Sequence, residues 1–163
     1  MKKKMISLLL LIALLGILFI SSGQTYEQQS LVPTLQKWLP HQPLENLLAT
    51  LKIPYWGIIV SVEERGYYYF LEFLIRKSAH FFTFAFIATT MYIALPKKYP
   101  RAIIAAVCSL IIAILDEYHQ SLTGGRTPLA ADVGIDFAGV CSALLIASFV
   151  NYLRDKRRHS ISR

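Results

Sequence analysis

Hydrophobic positions along the chain fall into four runs, at 5–22, 81–95, 102–115 and 137–150, separated by charged patches. With its flanks each run reaches about 18–21 residues, and a helix rising 1.5 Å per residue needs about 20 to cross the hydrocarbon layer. The pattern predicts an all-α membrane protein of one domain, residues 1–163, with four transmembrane helices over 5–22, 78–95, 102–119 and 133–152.

Between the spans the pattern changes. Pro96 and Pro100 bracket a short basic connection between spans two and three, and neither residue favours a continuing helix. Thr123-Gly124-Gly125 followed by Thr127-Pro128 predicts a structured turn between spans three and four. The segment 23–75 is longer and of another kind. It begins polar at Gln24–Gln36, then turns amphipathic and aromatic, with Trp38, Tyr55, Trp56, Tyr67, Tyr68, Tyr69, Phe70 and Phe73. Trp and Tyr favour the headgroup zone because they join an apolar body to a polar tip. Short interfacial helices are expected at 44–52 and 67–77, and Ile53–Val62 is too short to span as a helix, so a shallow or re-entrant segment is expected there. A small soluble subdomain is the alternative for this stretch.

Composition sharpens the picture at two points. Apolar residues make up 55% of the chain, and they are segregated rather than dispersed. The net charge of +7 sits in short clusters beside hydrophobic runs, an arrangement that sets topology and meets anionic lipid headgroups; it argues against a nucleic-acid partner. With the N-terminus inside, the cytoplasmic segments hold Lys2, Lys3, Lys4, Lys97, Lys98, Arg101, Arg154, Lys156, Arg157, Arg158 and Arg163, eleven of the seventeen basic residues. Both termini are therefore expected in the cytoplasm. Lys2–Lys4 and the apolar run after it also fit a signal peptide, but the run is long for one and lacks an A-x-A cleavage site, so the first helix is expected to be retained. Cys108 and Cys141 lie in apolar runs without metal-ligand spacing and read as small packing residues.

The unusual polar residues gather at the opposite, outer ends of the spans. Span two opens with Arg76, Lys77 and His80, span three closes with Asp116, Glu117, His119 and Gln120, span four opens with Asp132 and Asp136, and Arg126 lies in the loop between. The spacings i,i+3 and i,i+4 put Arg76, Lys77 and His80 on one helix face, Asp116 and Glu117 with Gln120 on another, and Asp132 with Asp136 on a third, where Gly139 lets a helix or a lipid come close. An acidic side chain left in hydrocarbon costs about 2.5–3.5 kcal/mol, so partners are expected, and Arg76, Lys77 and Arg126 are the cations at hand. Any one of these residues could simply brace helix ends, and Asp132 could be an N-cap. As a group, at matched depth and of mixed chemistry, they point to a shared ligand site.

Lys77-Ser-Ala-His80-Phe81 resembles the first motif of the VanZ-like family, and Glu117-x-x-Gln120, Gly125-Arg126 and Asp132-x-x-x-Asp136-x-x-Gly139 resemble its second. The close of the first run, Phe19 through Gln24, resembles the family's usual first-helix end. The resemblance covers a core of about 76–145 and singles out Lys77, His80, Glu117, Gln120, Arg126, Asp132 and Asp136. It departs at Asp136, where the family usually has Asn, and it does not account for the outer aromatic segment. It implies a cell-envelope protein of a family whose founding member is associated with low-level teicoplanin resistance.

Three functions follow from the site. A binding protein would hold a membrane lipid, a lipid-linked envelope precursor or a lipoglycopeptide by its headgroup, through Arg76, Lys77, His80, Glu117, Gln120, Arg126, Asp132 and Asp136. A membrane enzyme acting on a lipid-linked phosphate or sugar would use His80 as acid or base, with Glu117 or Asp136 orienting it. A structural or regulatory protein would use the cluster only to brace its helices. No cofactor is required; a divalent cation is admitted, on Asp116, Glu117 and Asp136 with His80, an oxygen-rich set expected to suit Mg²⁺ or Ca²⁺ more naturally than zinc. The expected place is the plasma membrane of a bacterium, with the polar site facing out.

Overall fold

A computed structural model describes residues 2–123 and 130–161. The elements run α1 (Lys2–Ser22), α2 (Val32–Trp38), α3 (Glu45–Ala49), β1 (Ile53–Tyr55), β2 (Ile58–Val60), α4 (Val62–Arg65), α5 (Tyr67–Ala94), α6 (Arg101–Ser121) and α7 (Ala130–Ile161). The long helices α1, α5, α6 and α7 pack together, with α5 touching each of the other three and lying most extensively against α7.

Two sets of contacts fix their directions. Phe19 near the end of α1 stacks on His119 near the end of α6, ring centroids 4.6 Å apart. At the other end of the bundle the Tyr92 hydroxyl, late in α5, accepts hydrogen bonds from Arg101 at the start of α6 (3.3 Å) and from Asn151 late in α7 (2.9 Å). Thus α1 and α6 run one way, and α5 and α7 the other.

The packing is that of a bundle in lipid. Ala105, Ser109 and Ala113 are fully buried on α6, while Ile103, Val107, Ile111, Ile114 and Leu115 of the same helix are 51–65% exposed. A helix folding in water would do the reverse; in lipid, association rests on close packing, so small residues face the neighbours and large ones face the tails. Phe84, Ile87 and Ala88 of α5 fill the centre with Val140 and Leu144 of α7, and Leu11, Leu14, Leu15 and Leu18 of α1 close over them. Among the described residues three helices are long and apolar enough to cross a membrane: Lys4–Ser22, Arg101–Ser121 and Ala130–Arg154. α5 falls outside that set because Lys77, His80, Thr83, Thr89, Thr90 and Tyr92 lower its mean hydropathy. It packs against all three of the other long helices, and a helix with more of its surface covered has less need of an apolar one.

Two expectations are corrected. The predicted interfacial helix at 67–77 and span two from 78 are one continuous helix, α5. Arg76 and Lys77 do not end it, because Arg76 pairs with Glu72 one turn earlier, at 3.5 Å, and Lys77 pairs with Asp132. The helix begins at Gly66, whose φ of 79° and ψ of 159° suit glycine almost alone and end α4 at the same point. The run from Ile53 is a β-hairpin, pairing Ile53 with Val60, Pro54 with Ile59 and Tyr55 with Ile58, rather than a re-entrant segment. Trp56 and Gly57 turn it with φ of 49° and 80°, the left-handed pair that matches strand twist. Such a turn closes on a hydrogen-bonded pair, so Pro54 falls at the next, non-bonded pair and its missing N–H costs nothing. Ser61 caps α4 by accepting from the Glu64 N–H at 3.2 Å.

The segment between α1 and α5 is fastened to the first turns of α5. The Tyr67 hydroxyl donates to the Pro43 carbonyl (2.9 Å), and that of Tyr68 donates to Leu39 (3.0 Å). Helix α3 covers 45–49, within the expected 44–52. The predicted turn at 123–128 lies almost wholly outside the described residues.

Candidate functional site

The end of the bundle where α1 and α6 finish and α5 and α7 begin collects the polar side chains. Its floor is buried. Asp136 is 1% exposed, Asp116 6%, Gln120 8% and Glu117 9%, where the exposure of an acid in a bundle this apolar decides that it is held rather than solvated. Asp116 is held at both oxygens: Oδ1 accepts from the Ser22 hydroxyl at the end of α1, and Oδ2 accepts from Gln120 Nε2 at 2.6 Å, one turn on. Three helices thus meet at one carboxylate when α5 is added through His80.

The His80–Asp136 pair sits beside it. Nδ1 of His80 and Oδ1 of Asp136 are 3.3 Å apart. The distance suits an ion pair, yet the angles close no hydrogen bond, and both atoms are buried without another partner among the described residues. Gly139 brings these helices together. A Cβ there would run into the Phe81 carbonyl, reaching 3.0 Å from its carbon and closer still to its oxygen, so only glycine at 139 allows α5 to lie this near α7. The helix expected to approach Gly139 is α5.

The rim is charged and aromatic. Lys77 Nζ donates to Asp132 Oδ1, and the Tyr55 hydroxyl donates to the same oxygen. Lys77 also lies over the rings of Tyr55 (4.9 Å) and Phe73 (5.7 Å), which meet edge to face at 5.2 Å, a cation–π arrangement that shields its charge. Burial first, then the bond to Asp132, push the Tyr55 phenol far above its ordinary range, so it stays a donor at any accessible pH. Asp132 lies in the first turn of α7; its carboxylate reaches across to Lys77 and Tyr55.

Arg76 points elsewhere. Its guanidinium bonds Glu72 (3.5 Å) and Gln29 Oε1 (3.4 Å) and lies over the Tyr26 ring at 4.8 Å. Gln29 in turn donates to the Ser21 carbonyl at 2.5 Å. Arg76 therefore ties the polar segment after α1 to α5, and is not brought together with Lys77 and His80. Burial and the Glu72 carboxylate raise the Tyr26 phenol above its usual value.

Of the residues expected from sequence, His80, Asp116 and Asp136 come together, with Gln120 on Asp116 and with Lys77 and Asp132 paired at the edge. Glu117 is buried next to Asp116. Arg126 lies outside the described residues. Three others were not expected to contribute. Ser22 carried a signal, the Ser-Ser close of the first helix. Tyr55 carried only its aromatic character. Glu72, 1% exposed, takes the Leu31 N–H and the Ser30 hydroxyl, both at 3.3 Å, besides Arg76, and its one local mark in the sequence was the i,i+4 spacing to Arg76.

Chemically, the arrangement can hold a cation on its floor, exchange the Lys77–Asp132 bond for a ligand's anionic group, and offer an imidazole for proton transfer. Compared with known proteins, residues 7–151 match the family model VanZ/LLP1. No curated protein and no solved structure matches the chain.

Proposed function

The chain belongs to the VanZ/LLP1 family, and from that premise we propose that it is a four-span protein of the bacterial plasma membrane. Both termini face the cytoplasm, and the polar end of the bundle opens outward to bind the headgroup of a membrane lipid, a lipid-linked envelope precursor or a lipoglycopeptide. In that role it contributes to glycopeptide resistance of the teicoplanin type.

The observation that carries the reading is the layering at this end. A buried polar floor, Asp116, Asp136, Glu117 and Gln120, lies beneath a rim where Lys77 is held by Asp132 and Tyr55. Beside the rim is a hairpin with Trp56, Ile58 and Ile59 exposed. Apolar side chains presented beside a polar cluster suit a headgroup binding there while its tails stay in the membrane. Depth agrees. From His80 to Lys97 a helix and its short exit rise ~25 Å, so a site at His80 lies near one edge of a hydrocarbon layer ~30 Å thick whose other edge is the basic loop. That distance, with the basic cluster at 97–101, is the support for counting α5 as the fourth span.

A second reading, a membrane enzyme on a lipid-linked phosphate or sugar, is favoured by one observation. The His80 Nδ1 side faces Asp136 at 3.3 Å, as an orienting carboxylate does for an acid–base imidazole.

Native mass spectrometry of protein purified in mild detergent tests the binding reading. Wild type is expected to carry bound lipid, and Glu117→Gln, which keeps shape and removes charge, to carry several-fold less while remaining monodisperse and helical. Retention unchanged in a folded Glu117→Gln would contradict a role for that carboxylate, and a wild type free of lipid would contradict the reading.

A further inference from the structure

We propose that His80, Asp116 and Asp136 form a binding site for one divalent transition-metal cation. One donor atom from each of the three lies within 4.8 Å of the others. Around an ion bound at about 2.0–2.2 Å, neighbouring donors stand ~3 Å apart and opposite ones ~4 Å. At up to 4.8 Å the three donors stand less than about 2 Å wider than neighbouring ligands of one ion, a closure that rotation of the imidazole and one carboxylate can supply.

The second, independent observation is Asp136 itself. It is 1% exposed, its Oδ1 is aimed at the cluster, and that atom makes no hydrogen bond among the described residues. Nδ1 of His80 is likewise a buried atom without a hydrogen bond among the described residues. Buried acceptors of this kind are almost always satisfied by protein or by something bound. Here the two atoms face each other at 3.3 Å, an ion-pair distance, without closing a hydrogen bond, so both can turn to a cation bound between them.

The surroundings are those of a ligand set. Asp116 is fixed at both oxygens by Ser22 and Gln120, the outer hydrogen bonds that orient a metal-binding carboxylate while leaving its remaining lone pairs free. The nearest described cation, Lys77, is drawn off to Asp132. Each ligand comes from a different helix, α5, α6 or α7, so the spacing is set by packed elements and by the close approach at Gly139. One imidazole with two carboxylates is a mixed nitrogen and oxygen set, suited to Mn²⁺ or Zn²⁺ sooner than to Ca²⁺, which takes six to eight oxygens. Three protein ligands leave coordination positions open toward the rim. That a phosphate or carboxylate oxygen of a headgroup fills one of them is an extension that rests on the proposed function; the cation site does not.

The test uses the full chain in detergent, stripped with a chelator and kept free of added lipid. Mn²⁺ titrated by electron paramagnetic resonance and calorimetry, with Zn²⁺ in parallel, is expected to bind at one ion per chain and to raise the melting temperature. Asp136→Asn and His80→Gln should each weaken binding at least tenfold, and Glu45→Gln, away from the cluster, should leave it unchanged. If Asp136→Asn proves misfolded by circular dichroism, His80→Gln decides. No stoichiometric uptake of either metal by folded wild type overturns the site, as does undiminished binding by the folded variants. Lipid retention measured in chelator is a separate readout, so the headgroup reading can fail while the cation site stands, and the reverse.

Discussion

Glycine 139 and glutamate 72 govern how close the elements come. At 139 a methyl group would collide with backbone rather than with a side chain that can turn aside. Gly139→Ala is expected to destabilise by about 1–3 kcal/mol or more, as overpacking does, and to part His80 from Asp136. Thermal unfolding in detergent reads the first effect, and a melting temperature equal to wild type would show that α5 does not lie on that glycine. Glu72→Ala would leave the Leu31 N–H and Arg76 without their buried acceptor, a loss of about 1–3 kcal/mol per stranded group; Glu72→Gln should recover part of it. The residues missed from sequence are those whose partners lie far along the chain: Ser22 to Asp116 spans 94 positions, Tyr55 to Asp132 spans 77, and Leu31 to Glu72 spans 41. Helical spacing finds neighbours on one helix and is blind to partners on another. It grouped Arg76 with Lys77 for this reason, although Gln29 and Tyr26 draw Arg76 to the other side.

Elements with a strong apolar period were legible, and those made by turn chemistry were not. α1 and α6 fall almost where hydropathy put them. α7 runs on to Ile161 because the basic residues after 153 are good helix formers that need no membrane. Charge was misread as a boundary in α5, where intrahelical and interhelical pairs satisfy Arg76 and Lys77 and let the helix continue. The hairpin was hidden because Trp-Gly is not the usual left-handed turn pair and because a strand of three residues leaves little alternation to read. Its attachment to α7 runs through Tyr55. Tyr55→Phe removes one of two donors to Asp132 and is expected to loosen the hairpin from α7, seen as faster amide exchange over 53–60 with the melting temperature nearly unchanged. Exchange equal to wild type would mean that Tyr55 does not fasten it.

For the whole molecule, one asymmetry organises the rest. Apolar side chains face outward along α1, α6 and α7, small ones face inward, and ionisable groups are buried at one end. Buried acids seldom add stability, and the buried Asp116 and Asp136 are therefore the residues on which the binding proposal leans. Cysteines introduced one at a time at Lys52 and Lys98, with Cys108 and Cys141 replaced by Ser, separate the two ends: Lys52→Cys should react with an impermeant maleimide in intact cells, and Lys98→Cys only after permeabilisation. The reverse pattern would invert the orientation.

The central claim, that this end holds a lipid headgroup, is tested most directly by headgroup-tagged photoreactive phospholipid in vesicles carrying the intact protein. Cross-links are expected in peptides containing Lys77 and His80, Asp116 to Gln120, and Tyr55, and should fall sharply with unlabelled lipid in excess. Labelling spread along the exposed faces of α1 and α6, with none at those peptides, would contradict it.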